Sequence, residues 1–217
     1  MTIPNWLSSK MSSDDAIAIE NAVKAAELKS SGEIVPMIVR RSVSVRSAPY
    51  IALMAMLSLL FIVGVWFHFN FANHMHLAWL AVGVTVSILV SAATLFVQPL
   101  QRFFTPHGDE VDASFQRAQL EFFQTGIPMT EGRTGVLIFV SLFERRAFVL
   151  GDEAISQKMS NEAWVEITHA LVQKLKHGEY KEGFVGAIEA VGQKLAMEFP
   201  RAKDDRDELS NQLVIKD

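Results

Sequence analysis

No Asp, Glu, Lys or Arg occurs over the 55 positions from Ser47 to Gln101, in a chain of 217 residues. All 24 acidic and 20 basic residues lie outside this block, at a density ordinary for a soluble domain. The chain is therefore read as two materials, a split polar module and an apolar insert. The insert holds two runs of 21 residues, Ser47–Phe67 and Leu77–Val97. A membrane-spanning helix needs about 20 apolar residues. Leu, Ile, Phe and Val number 10 in the first run and 11 in the second. On the insertion scale those residues favour a bilayer by roughly 3–6 kcal/mol per run, with no charge opposing them.

Two spans over residues 47–67 and 77–97 make a transmembrane hairpin, so the lipid bilayer is the expected partner. Both polar segments then lie on one side. Arg40, Arg41 and Arg46 precede the block and Arg102 follows it, whereas the turn His68–His76 has no Lys or Arg. The positive-inside rule puts both termini and the polar module in the cytoplasm. The N-terminus lacks the basic and apolar regions of a signal peptide, so the first span is expected to be the targeting signal. In the turn, His68, His74 and His76 form a pattern that can ligate zinc or copper. A turn of titratable interfacial residues is the alternative, since no carboxylate or Cys is near.

Residues 1–46 and 102–200 make up the polar module. Ser12 and Ser13 followed by Asp14 and Asp15 predict a helix start, and Ile19, Val23 and Ala26 repeat at helical spacing. Glu33–Arg40 is a β-branched strand apolar on both faces, although Pro36 argues against a central place in the ladder, or for a bulge. Val111, Phe115, Ala118 and Phe122 predict a helix over 109–124. Thr134–Ser141 is the second strand and Arg146–Leu150 the third, joined by a short turn. Two helices follow, one capped by Ser160 and one over Tyr180–Met197. The tail Arg201–Asp217 is charged and expected to be loosely held. Strand, helix, strand implies parallel pairing through a right-handed crossover, and the short turn makes the third strand antiparallel. The fold class is α/β: a small mixed sheet between helices, interrupted by the hairpin.

The net charge of −4 excludes a basic nucleic-acid binder. The absence of Cys excludes a disulfide scaffold, a Cys-ligated metal and a Cys nucleophile. No Walker loop, Gly-rich dinucleotide loop, Ser elbow or His-Glu-x-x-His is present. Glu33 opens the first strand, Arg133 precedes the second, and Asp152 follows the third. The predicted topology brings all three to one edge of the sheet. One arginine and two carboxylates suit calcium or magnesium held by Glu33 and Asp152, or a phosphate held through a bridging ion. A structural salt bridge between strand ends is the alternative. The acidic run Asp204–Glu208 offers oxygens to calcium but lacks the glycine and spacing of an EF-hand, and solvated tail is the preferred reading.

Several segments resemble the TPM domain family, which includes thylakoid-lumen acid-phosphatase-like proteins and photosystem repair factors. They are Ser31–Val35, Arg133–Ser141 with Glu144 and Arg145, Gly151–Asp152 with Ile155, and Trp164. Gly183–Ile188, Gly192, Leu195 and Asp205–Leu209 complete the set. The resemblance implies an α/β/α sandwich; the hairpin inside the domain departs from many relatives, and in this the chain looks like a bacterial membrane-bound branch. It implies either an accessory or interaction module in membrane-protein assembly or quality control, or a phosphatase-like hydrolase dependent on a divalent cation. A charge in the middle of a span costs about 2.5–3.5 kcal/mol on the insertion scale. Leu59→Arg should therefore shift the protein out of the membrane fraction on flotation, and unchanged fractionation would remove the first span.

Overall fold

Ser12 and Asp15 close the first long helix at its N-terminus. The Ser12 Oγ accepts from the Asp15 N–H at 3.1 Å while an Asp15 carboxylate oxygen accepts from the Ser12 N–H at 2.8 Å. Two of the four orphan donors at a helix start are thereby satisfied. The computed structural model describes residues 3–42, 48–70, 76–103, 107–202 and 204–217. In chain order the helices are α1 Asn5–Ser8, α2 Ser13–Glu27, α3 Ala48–Asn70, α4 His76–Ala93, α5 Gln98–Phe103 and α6 His107–Gln124. They continue as α7 Glu153–Lys158, α8 Asn161–Lys176 and α9 Tyr180–Glu198. The strands are β1 Glu33–Val39, β2 Gly135–Ser141, β3 Arg146–Gly151 and β4 Val214–Lys216. The chain divides into two units, Met1–Ser42 with Val111–Asp217, and Val43–Glu110.

The first unit is built on a mixed sheet of order β3-β2-β1-β4. β1 pairs parallel with β2 and β4, and β2 pairs antiparallel with β3. All seven residues of β1 and of β2 are buried. Their side chains alternate between two cores. Ile34, Ile38, Val136 and Ile138 face Ile19 and Val23 of α2, Leu171 of α8, and Phe184, Ile188 and Leu195 of α9. Val35, Met37, Leu137 and Phe139 face Ala118 and Phe122 of α6. α2 and α9 approach closely: a Cβ at Gly192 would lie 2.6 Å from the Ala26 Cβ, so only glycine fits there.

Two expectations about the sheet are corrected. The tail is not loosely held: its last residues form β4 on the open edge of β1, and Leu213 is 1% exposed. Pro36 sits in a strand with neighbours on both sides. The Glu33 N–H donates to Thr134 O and the Arg40 N–H to Lys216 O, so even-numbered residues of β1 turn their amides toward β4. β4 pairs only from Met37 onward. The donor that Pro36 lacks therefore falls before that ladder begins.

In the second unit α3 and α4 pack side by side. The Ser91 Oγ donates to Pro49 O at 2.8 Å, which places the end of α4 beside the start of α3. A Cβ at Gly83 would lie 2.3 Å from Leu60 Cδ1, so this glycine admits the α3 side chain. Among the described residues, one helix is long and apolar enough to cross a membrane by length and composition. Its window Pro49–Trp66 has mean hydropathy 2.1 and only 6% of it is buried. The second apolar stretch is shorter than expected: α4 ends at Ala93, before the predicted limit of Val97. Arg46 and His74, and the side chains of His68 and His76, lie outside the described residues.

Because Leu213 is fully enclosed, its truncation should leave a cavity. Leu213→Ala should cost about 2–5 kcal/mol in urea unfolding of the detergent-solubilised protein. A loosely held tail would show no change.

Candidate functional site

The registers Glu33↔Gly135 and Val136↔Gly151 bring the start of β1, the start of β2 and the end of β3 to one end of the sheet. Glu33, Arg133 and Asp152 are all at that end, and they separate into two groups.

Arg133 and Asp152 form the first. The Arg133 Nε and Nη2 donate to the two Asp152 oxygens at 2.7 and 2.9 Å, a bidentate pair. Arg133 takes a φ of 52°, uncommon for a side chain larger than Asn. Asp152 is 4% exposed and is also the N-cap of α7, accepting from the Glu153 N–H at 2.7 Å. Its own N–H donates to Gly135 O at 2.9 Å. Asp152 thus ties β3, α7 and the loop before β2 together. The Arg133 side chain is 48% exposed, so solvent screens the pair and its contribution is modest.

Glu33 belongs to the second group, with Glu27 and Asp207. One carboxylate oxygen from each lies within 4.8 Å of the others. Glu27 is the last residue of α2, Glu33 the first of β1, and Asp207 comes from the C-terminal segment. Glu33 is 5% exposed and accepts from the backbone N–H groups of Glu208 and Leu209 at 3.1 and 3.3 Å. Glu27 is 8% exposed; its Oε1 accepts from the Ile34 N–H at 2.9 Å, while its Oε2 is buried without a hydrogen-bond partner. Burial pushes the Glu27 carboxyl up to about 8, helped by the negative charges of Glu33 and Asp207 and opposed by the Ile34 amide. Burial also raises Glu33, against the two amide hydrogen bonds it accepts.

Glu27 was missed by sequence reasoning, although it carried a signal, and Asp207 was weighed only within the acidic run 204–208 that was read as solvated tail. Ile19, Val23 and Glu27 share one helical stripe that faces the core. An acid there also sits at the negative end of the α2 dipole, where it is disfavoured. Two unfavourable placements for one residue point to a compensating partner. The set offers hard oxygen donors, the chemistry that calcium and magnesium take.

Residues 96–194 match the family model of the TPM domain. The matched segment runs from the residues before α5 into α9, and includes Arg133 and Asp152. Glu27, Glu33 and Asp207 fall outside the TPM match. Among solved structures, the chain is similar to the NMR structure of BA42 protein from the psychrophilic bacterium Bizionia argentinensis. The TM-score is 0.59 at 22% identity over 94% of each chain, a likeness of fold. No curated protein matches the chain.

The raised Glu27 carboxyl has a pH consequence. Its folded-state value of about 8 exceeds its ordinary 4.5, so the folded protein holds this proton more tightly than the unfolded one. The stabilisation is fully present below pH 4.5 and is lost as pH rises through about 8. In chelator, stability should fall from pH 5 to pH 9 by on the order of a few kcal/mol, read as a falling melting temperature. Glu27→Gln should flatten that slope, and an unchanged slope would contradict the assignment.

Proposed function

We propose that the chain is a membrane-anchored protein whose first unit is a TPM-like domain acting as an accessory or interaction module in membrane-protein assembly or quality control. α3 and α4 form the two-span hairpin, and both termini face the cytoplasm of a bacterial inner membrane. A divalent cation, calcium or magnesium, is held by Glu27, Glu33 and Asp207. The observation that carries the anchoring is the α3 window, which is strongly apolar and almost entirely unburied. A core helix of a soluble protein would hide such a surface. For the cation, support comes from the buried Glu27 Oε2, which has no hydrogen-bond partner and belongs to a carboxylate set tight enough to repel itself.

No comparable observation favours the hydrolase reading. Two of the Arg133 guanidinium nitrogens are committed to Asp152, which holds them in the bracket between β3 and α7. Stabilising phosphoryl charge would need that guanidinium free.

The cation is tested on the purified full-length protein in detergent. Millimolar calcium or magnesium should raise the melting temperature at pH 8, since the cation competes with the Glu27 proton. Asp207→Asn and Glu27→Gln should each abolish the rise, whereas Asp152→Asn should lower the starting melting temperature and keep it. A rise that vanishes only in Asp152→Asn would move the site to Arg133 and Asp152. The module role is tested by crosslinking in native membranes, where reproducible capture of membrane proteins is expected. Capture no greater than from a hairpin-only chain would reject it.

A further inference from the structure

The end of the sheet opposite the carboxylates carries the reverse charge. Val39 of β1 pairs with Ser141 of β2, which pairs with Arg146 of β3, so Arg40, Arg41, Arg145 and Arg146 come together there. The backbone closes this end: the Phe143 N–H donates to Arg40 O at 3.0 Å and the Arg41 guanidinium lies 5.6 Å from the Phe143 ring centre. Arg145 and Arg146 are exposed, and among the described residues neither has an ion pair. The acids nearby are accounted for. Glu144 is buried and accepts from the Ser42 N–H and the Ser141 hydroxyl. Glu121 is buried against Arg117 and Lys216, and exposed Asp217 lies 3.7 Å from Arg40.

A second observation concerns Arg145 itself. It occupies the turn between β2 and β3 with a φ of 53°. Glycine or asparagine adopts that conformation with less strain. An arginine there keeps a cation at the tip of the hairpin despite the backbone preference.

We infer that this arginine-bearing end of the sheet is a docking surface for an anionic lipid bilayer. The inference rests on the hairpin proposed above. Five residues separate Ser42 from Ala48, the start of α3, and the six extended steps between them span at most about 21 Å. Arg40 and Arg41 are thus tethered close to the headgroups into which α3 leads. The β2–β3 turn adds Arg145 and Arg146 at the same level by register. The Glu27, Glu33 and Asp207 set, with Glu131, Glu153 and Glu208 exposed near it, lies about 23 Å away along the strands. That exceeds the screening length of about 8 Å at physiological salt. A negative membrane surface therefore attracts one end of the sheet and barely acts on the other, which sets the orientation of the unit.

The chain has no cysteine, so single labels can be placed without background. Full-length protein is reconstituted in nanodiscs of neutral phosphatidylcholine, or of the same lipid with 30% phosphatidylglycerol. A donor fluorophore at Asp217→Cys reports energy transfer to a headgroup acceptor, and one at Glu131→Cys reports the far end. Transfer from Asp217→Cys should be clearly higher in anionic discs and return to the neutral value in 0.5 M salt. Transfer from Glu131→Cys should not rise. Arg145→Gly with Arg146→Gln should abolish the difference while leaving the melting temperature unchanged or higher, because glycine relieves the turn. Arg145→Lys with Arg146→Lys should retain it. Equal transfer in both lipids, or a difference that survives the uncharged double variant, overturns the docking surface. Protein that elutes apart from both kinds of disc overturns the hairpin, and this inference with it.

Discussion

β1 is hydrogen-bonded along both edges and enclosed on both faces, and this constraint organises the first unit. A strand so placed leaves nothing for water, so every residue of it must be apolar, or polar with an assigned partner. Ile34, Val35, Met37, Ile38 and Val39 meet the first condition. Glu33 meets the second, through the amides of Glu208 and Leu209. The neighbours of β1 come from distant parts of the chain: β2 from beyond the apolar insert and β4 from the extreme C-terminus. The insertion is tolerated because β1 ends at the edge of the unit, where a departing chain disturbs no ladder.

Continuous apolar strands announce themselves, so β1, β2 and the antiparallel β3 were legible in the sequence, as were their pairings. β4 was hidden by its surroundings. Three residues, Val214–Lys216, emerge from a tail dense in Asp and Arg, and what makes them a strand is an edge of β1 that no local window contains. Pro36 misled for a related reason: its missing donor matters only if a partner stands opposite, and the short β4 begins one residue later. At the candidate site, topology alone correctly gathered Glu33, Arg133 and Asp152 at one end of the sheet. It gave no account of which carboxylate faces which, because side-chain pairing there depends on the last turn of α2 and on the returning tail.

The two charged groups at that end illustrate opposite uses of a carboxylate. Asp152 has its oxygens filled by Arg133 and by the start of α7, so it acts as a joint. Glu27 keeps one buried oxygen unfilled beside two other acids, an arrangement that is costly as it stands and favourable once a positive charge is supplied. Arg201 offers part of that charge, through its long-range field on Glu27.

The position of β1 ahead of the apolar insert has a consequence for biosynthesis. The strand is made early and then waits. At about 5–20 residues per second, the stretch from Val39 to Gly135 takes on the order of 5–20 s to synthesise, and β4 emerges later still. Throughout that interval an apolar strand with two unpaired edges stands beside nascent hydrophobic helices, the circumstance in which strands mispair and aggregate. Early capture of α3 by the membrane would keep the two apolar materials apart while β1 waits. With the hairpin proposed above, the order of elements would make folding of the sheet depend on timely insertion of the helices that interrupt it.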